Sequence, residues 1–310
     1  MPRFSDFTFP STDGKNELHV RRCDPDAAPR GVVQIAHGIA EYAARYDDFA
    51  AFLASNGFVV VADDHLGHGQ SVKSEDDLGF FAEQHGWELA VGDMRRLFEL
   101  MRKEFPALPY FLFGHSMGSF LSRTYLIKYP DGLTGCVLSG TGQQPGVMVM
   151  GGKFMSAREV KKNGPRFRSL SLNKLAFGSY NKAFEPRRTD VDWLSRDNAV
   201  VDKYVADPLC GFVATAKLMN DMMGGIEYNQ KAENLARMNK ALPVYFMSGD
   251  MDPVGANGKG VRQAAESFKK AGMQDVTVKL YPQGRHEMLN ELNKQEVYAD
   301  VLAWIESKIK

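Results

Sequence analysis

The sequence predicts an α/β protein: a mostly parallel central sheet with helices on both faces and an inserted set of helices over its carboxyl edge. Three observations carry this. Within residues 1–141 and 231–310, short β-branched or aromatic runs alternate with segments of helical period, the pattern of parallel strands joined by crossover helices. One apolar run, Tyr110 to Phe113, passes into Gly114-His115-Ser116-Met117-Gly118, and Phe120, Leu121, Thr124, Tyr125 and Ile127 then follow at helical spacing. That is a strand, a sharp turn and a helix. From Gly142 to Gln230 the alternation stops, and Gly, Met and charge give way to helix-like pieces around Leu170–Phe177, Asp197–Val205 and Phe212–Met223.

In chain order, Leu18-His19-Val20-Arg21 alternates apolar and polar residues, as a half-exposed edge strand does. Asp24 to Arg30, with two prolines, makes a loop. Gly31 to Ala36 is a β-branched run ending at His37-Gly38, and Tyr46, Phe49, Ala50 and Leu53 then share one helical face that Gly57 closes. Phe58 to Ala62 is a near-continuous apolar run, as expected of a strand buried on both faces. Between Trp87 and Phe105, Leu89, Met94, Leu97, Phe98 and Met101 recur at helical spacing until Pro106 ends the pattern. Cys136 to Ser139, Pro243 to Ser248 and Val276 to Leu280 read as further strands, and Val297 to Ile309 as a closing amphipathic helix. The division that follows is a core of 1–141 and 231–310 with 142–230 inserted as a helical cap.

Composition narrows the function. Lys plus Arg equals Asp plus Glu at 38 each, so no net field recruits nucleic acid. Cys23, Cys136 and Cys210 are far apart and outside any C-x-x-C spacing, which argues against a disulfide framework or a zinc site and for a reducing cytoplasm. The start, Met1-Pro2-Arg3-Phe4-Ser5-Asp6, lacks the apolar block of a secretion signal, and no apolar run is long enough to cross a bilayer.

The pentapeptide around Ser116 is a weak signal alone and needs partners. A serine nucleophile requires a base for its proton and a third group to orient that base. After Ser116 the chain offers one histidine, His286, just past the last strand, where a loop can bring it over the serine. Two carboxylates qualify as the orienting group, Asp250 and Asp252, both at the carboxyl end of the strand that resumes after the cap. Asp252 is preferred, with Asp250 read as a turn residue. The oxyanion needs preplaced donors: the N–H of Met117, following the nucleophile, and that of Ile39, in the loop after the early strand.

Other features have plainer readings. His65 and His68 stand three apart, but without a third ligand beyond Asp63 and Asp64 they read as a structural turn rather than a metal site. Gly255 to Gly260 lacks the spacing of a phosphate cradle and reads as the loop after the acid. Arg158, Lys161, Lys162, Arg166 and Arg168 form either a solvated face or a surface for anionic lipid headgroups. The methionines of the cap, among them Met148, Met150, Met155, Met219, Met222 and Met223, either fill a core or line an adaptable acyl-chain pocket.

Taken together, His37-Gly38-Ile39-Ala40-Glu41 with Arg45-Tyr46, then Asp64-His65-Leu66-Gly67-His68-Gly69-Gln70-Ser71, then Gly114-His115-Ser116-Met117-Gly118, resemble the monoacylglycerol lipase and lysophospholipase family of α/β-hydrolases, also grouped with serine aminopeptidase-like hydrolases. The resemblance implies the α/β-hydrolase fold with a helical cap that leads an acyl chain to the serine. It places the acid at the end of Gly249-Asp250-Met251-Asp252 and the base at His286, and it extends to Asp207-Pro208-Leu209-Cys210 in the cap. It further implies that Glu41 and Arg45 hold the glycerol end of the substrate; otherwise they are helix-start charges. The chain departs from the family's pattern at Leu289, where a second histidine is usual, and at Ser119, where glycine is frequent.

The expectation is a cofactor-independent serine ester hydrolase, with Ser116, His286 and Asp252 as its triad. The implied substrates are single-acyl-chain lipids such as monoacylglycerols or lysophospholipids, with peripheral membrane contact through the cap. The rivals are an aminopeptidase-like amidase, a short-chain carboxylesterase and a binding protein without turnover.

Overall fold

The computed structural model describes residues 1–309. Eight strands form one sheet: β1 (Arg3–Pro10), β2 (Glu17–Asp24), β3 (Gly31–Ala36), β4 (Phe58–Asp63), β5 (Tyr110–His115), β6 (Gly135–Ser139), β7 (Val244–Gly249) and β8 (Val276–Tyr281). Their order is β1-β2-β4-β3-β5-β6-β7-β8. From β4 to β8 every pairing is parallel, while β2 runs antiparallel to both β1 and β4.

The segment around Leu18 is therefore a strand but not an edge. β1 covers its outer side in continuous register from Arg3↔Asp24 to Pro10↔Glu17. β1 is mostly exposed, so its place rests on backbone pairing to β2 rather than on an apolar face of its own.

The central strands are apolar on both sides because both sides are covered. Val32, Val59, Val61 and Leu112 pack into one core with α2 (Gly86–Glu104), α3 (Met117–Lys128) and α9 (Lys259–Lys270). Their alternates Val33, Val60, Phe111 and Phe113 pack into a second core with α1 (Asp47–Ser55) and α10 (Lys294–Ser307). Successive side chains of a strand point to opposite faces, so two helical layers need two interleaved apolar sets.

Between β6 and β7 the chain makes no strand. It forms α4 (Gly146–Asn163), α5 (Leu170–Phe177), α6 (Asn198–Ala206) and α7 (Ala216–Gln230), and α8 (Ala232–Leu235) follows. The Gly- and Met-rich stretch from Gly146 is thus itself a helix, packed along α7. It has no consistent buried stripe, since only Val149 and Ser156 are buried, which is why periodicity does not reveal it.

Strand order sets where a site can lie. The chain passes from β3 outward to β4, then crosses back to β5 on the other side of β3. The loops leaving β3 and β5 therefore diverge, opening a crevice beyond their carboxyl ends. His37-Gly38-Ile39 leaves β3 at this point, and Ser116 leaves β5.

Candidate active site

Ser116 joins β5 to α3 with φ 51° and ψ −120°. For a residue bearing a Cβ this backbone costs about 1–3 kcal/mol, and it persists only where the surroundings enforce it. Here they do. A Cβ on Gly114 would collide with the Ser122 hydroxyl and the Gly118 carbonyl, and one on Gly118 with the carbonyls of Ala36 and His37. Only glycine at both positions lets α3 start this close to β3. The Ser116 N–H donates to the Ser139 carbonyl at 3.0 Å, which ties the turn to β6.

His286 lies in the loop after β8 and is buried. Its Nδ1 is 3.0 Å from Asp252 Oδ1. Asp252, fully buried beyond β7, also accepts the Ser248 hydroxyl at 2.8 Å and the Val254 N–H at 2.9 Å. Burial alone pushes the Asp252 carboxyl up. The charge and hydrogen bond of His286, with the Ser248 and Val254 donors, outweigh burial and hold it below the usual carboxylate value. The same balance acts on His286: burial opposes its cation, but Asp252 wins and the imidazole is shifted above its ordinary value. Asp250 has no bond to His286; its N–H donates to the Tyr281 carbonyl, and its Oδ1 is buried without a partner among the described residues.

His286 is flanked by two rings, His115 at 4.7 Å and Trp193 at 5.0 Å between centroids. Burial and the neighbouring His286 push the His115 imidazole down to about 4, so it stands neutral beside the pair. Trp193 belongs to the stretch between β6 and β7. That stretch also accepts two backbone bonds from the histidine loop, His286 N–H to the Trp193 carbonyl and Glu287 N–H to the Leu194 carbonyl.

Ser116 and His286 face one cavity of about 870 Å³, together with Ile39, Met117 and Glu41. Asp252 lies behind His286. The two side chains Ser116 and His286 share no hydrogen bond among the described residues, a contact that commonly tightens only when substrate is bound. Met117 is the first residue of α3, so its N–H has no acceptor within the helix. Beyond the serine the walls are mostly apolar, with Phe120, Val149, Leu172, Phe177, Ile226 and methionines, and a minority of polar residues such as Gln144, Asn173 and Asn181. Met148, Met155, Met219, Met222 and Met223 are among the lining residues, whereas Met150 points to solvent.

Glu41 and Arg45 are engaged with the protein itself. Glu41 Oε1 accepts the Gly38 N–H at 2.5 Å and the Tyr46 hydroxyl at 2.8 Å, and Oε2 accepts Arg45 at 2.6 Å. Arg45 donates two further bonds, at 2.8 and 2.7 Å, to the two oxygens of Glu287. Arg45 does not line the cavity. Leu289 is buried under α10, its carbonyl accepting the Tyr298 hydroxyl, and the Ser119 hydroxyl donates to the Ser116 carbonyl.

The remaining marked residues have structural roles. His65 Nδ1 meets Asp63 at 2.9 Å and His68 Nδ1 meets the Leu66 carbonyl at 2.9 Å. Among the described residues no group of three or more His, Cys, Asp or Glu is placed to hold a metal. In the Gly255–Gly260 loop the Asn257 N–H closes back onto the Asp252 carbonyl. Arg166 and Arg168 bind Asp77 and the carbonyls of Glu75, Asp76 and Leu78, leaving Arg158, Lys161 and Lys162 exposed on α4.

Sequence reasoning misses Ser248, Trp193 and Glu287. Ser248 stands next to last in β7 and reads as sheet. Trp193 sits in a stretch with no periodicity, and the partner of Glu287 lies 242 residues away. The signal available for Glu287 is its position directly after the histidine.

A doubly covered, mostly parallel sheet that raises a strained serine at its switch point defines the α/β-hydrolase class, and the protein is a serine hydrolase of that class. The chain belongs to the Hydrolase_4 family, described as serine aminopeptidase S33, which it matches over residues 27–293. It is 33% identical over 290 residues to a monoacylglycerol lipase of Mycolicibacterium smegmatis, covering 92% of this chain and 91% of the relative. It is 28% identical over 295 residues to the monoglyceride lipase of Homo sapiens, covering 94% and 87%. Among solved structures, a highly thermostable carboxyl esterase from Bacillus coagulans in complex with glycerol superposes with a TM-score of 0.92 at 29% identity, covering 99% of each chain.

Proposed function

We propose that the protein hydrolyses carboxylic esters of single-acyl-chain lipids, monoacylglycerols or lysophospholipids, through an acyl-enzyme on Ser116. His286 takes the serine proton as the hydroxyl attacks the ester carbonyl and returns it to the leaving alcohol; water then releases the acid by the reverse sequence. Asp252 fixes the Nδ1–H tautomer and stabilises the imidazolium. The N–H groups of Ile39 and Met117 stabilise the oxyanion. In this reading 1–141 and 231–310 form the catalytic core and 142–230 a cap over it.

The observation that carries the substrate class is the cavity of about 870 Å³ at Ser116, lined mostly by apolar side chains and large enough for one acyl chain. The names of the relatives point the same way. An aminopeptidase needs a carboxylate free to meet the substrate amine. Of the carboxylates on the cavity wall, Glu41 and Glu287 are buried and already paired with Arg45, and Asp190 is exposed to solvent at the rim. That disfavours the amidase reading.

The test is a hydrolysis panel of monoacylglycerols, lysophosphatidyl lipids, short nitrophenyl esters and aminoacyl amides. Long single-chain esters are expected to be preferred; preference for amides overturns the substrate class, and preference for short esters makes it a carboxylesterase. A fluorophosphonate should label the wild type and spare Ser116→Ala. Equal labelling of both removes Ser116 from its role, and a lack of turnover on every ester favours the non-catalytic binder.

A further inference from the structure

We infer that Arg45, with Glu287 and Glu41, is a positioning residue that locks the histidine loop to the oxyanion loop rather than a contact for the substrate's polar end. The inference rests on the serine-hydrolase reading above. It starts from an ion network that is out of solvent: Glu41, Arg45 and Glu287 have side-chain exposures of 5%, 11% and 5%. Charges are held in such a place only where geometry repays their desolvation. Here Arg45 presents its planar fork to both oxygens of Glu287 at 2.8 and 2.7 Å and reaches Glu41 at 2.6 Å. Glu287 is further held by Asn290 at 3.0 Å, and Tyr204 covers the guanidinium at 4.8 Å. With the carboxylates on both sides, a substrate hydroxyl would have to displace a two-pronged charged contact to reach Arg45.

What the network joins gives it a role. Glu287 directly follows His286, so fixing its side chain limits how that loop can swing. At the other end Glu41 accepts the N–H of Gly38, the residue preceding Ile39, and the turn is completed by Ala40 at φ 55°. A Cβ on Gly38 would stand 3.1 Å from that of Ser116, so this loop is pressed against the nucleophile. One guanidinium thus sets the distance between the proposed base and the proposed oxyanion donor, two groups on opposite sides of the reacting carbon. Displacements of about 1 Å in such a constellation cost on the order of a hundredfold in rate.

The experiment compares Arg45→Met, Glu287→Gln and the double variant Arg45→Met/Glu287→Met with wild type. The double variant removes the Arg45–Glu287 pair together and leaves Glu41 as the one buried charge, still accepting the Gly38 N–H and the Tyr46 hydroxyl, so cooperative melting of this variant is checked before its rates are read. Each is assayed on a monoacylglycerol and on a nitrophenyl ester that has no glycerol. Positioning predicts that kcat falls about tenfold to a hundredfold on both esters alike, with KM changed little, in variants that melt cooperatively. Arg45→Lys, which keeps the charge but not the fork, should fail to restore kcat. A rise in KM confined to the glycerol ester overturns the inference in favour of substrate contact, and unchanged kcat on both esters overturns it outright. The proton NMR signal of His286 Nδ1–H, read independently of turnover, should shift or broaden in all three variants. An unchanged signal also refutes the inference, whereas absence of wild-type turnover refutes only the hydrolase reading.

Discussion

His286 Nδ1 lies 3.0 Å from Asp252 Oδ1 at a place where neither side chain meets solvent, so the tautomer of the ring is set by this one acceptor. Asp252→Asn keeps the shape and removes the charge. The amide can donate to Nδ1 and so favours the tautomer with its proton on Nε2, the nitrogen that the proposed mechanism needs free as base. We expect kcat on a soluble ester to fall by about four orders of magnitude, as in other triads, with KM nearly unchanged. Steady-state kinetics against a Ser116→Ala baseline decide it; a loss below tenfold would make Asp252 structural only.

The same pair predicts the pH dependence of rate. In the proposed mechanism His286 is the general base and must be neutral in the free enzyme, and Asp252 holds it above its ordinary 6.5. Activity should therefore disappear as pH falls through a value higher than 6.5, the acid limb of kcat/KM. A limb at or below the ordinary histidine value would contradict the geometry.

Stability carries a second signature of this pair. Asp252 is depressed in the folded state, so its contribution is fully present above its unfolded value of 3.8 and is lost as pH falls through the lower folded value. His286 is raised, so its contribution is fully present below 6.5 and is lost as pH rises through the higher folded value. The Tm difference between wild type and Asp252→Asn should thus be greatest between those limits. A difference that keeps growing toward alkaline pH counts against the pair.

Two adjacent glycines of α7 should respond in opposite directions. Gly224 has open space where a Cβ would go, while at Gly225 the Cβ would enter the Trp87 ring. That ring cannot step aside, because it is buried and its Nε1–H donates to Thr124 at 2.9 Å. Gly224→Ala should stabilise by about 0.5–1 kcal/mol through helix propensity, and Gly225→Ala should destabilise by about 1–3 kcal/mol through overpacking. Chemical denaturation of both variants measures the difference.

Much of this architecture can be read from the residues because local pattern and tertiary demand agree. Val32, Val33 and Ile35, and Phe58 to Ala62, are apolar on alternate sides for two separate cores, and Gly114 and Gly118 announce a turn that only glycine permits. Spacing alone does not separate Asp252 from Asp250; the family resemblance favours Asp252, and the structure gives the histidine bond to Asp252. What escapes is held by distant partners. β1 is fixed by backbone pairing, α4 buries too little to show a stripe, and the Arg45–Glu287 contact joins opposite ends of the chain. Such pairings leave no mark within a sequence window.

We propose, together with the lipid-ester reading, that the exposed face of α4 makes a peripheral contact with a lipid surface. Val147 and Phe154 are 73% and 71% exposed, and Leu170 at the start of α5 is 73% exposed. Arg158, Lys161 and Lys162 stand exposed further along α4. Large exposed apolar side chains beside free cations fit an anionic lipid surface, with the apolar groups entering the acyl boundary and the cations meeting headgroups. Neighbouring residues of the same helix, Met148 and Met155, line the cavity that contains Ser116, so a lipid reaching α4 is already at the cavity wall. Among the described residues no helix is long and apolar enough to cross a membrane. Val147→Ser/Phe154→Ser should weaken co-sedimentation with phosphatidylglycerol-containing vesicles by at least about tenfold, since each apolar side chain lost from lipid costs on the order of 1 kcal/mol or more. Because neither residue lines the cavity, kcat on a soluble nitrophenyl ester should stay at the wild-type level. Replacing Arg158, Lys161 and Lys162 by Gln should weaken binding only at low salt, where the charges are unscreened. Equal vesicle binding by wild type and both variants would leave this face an ordinary solvated surface.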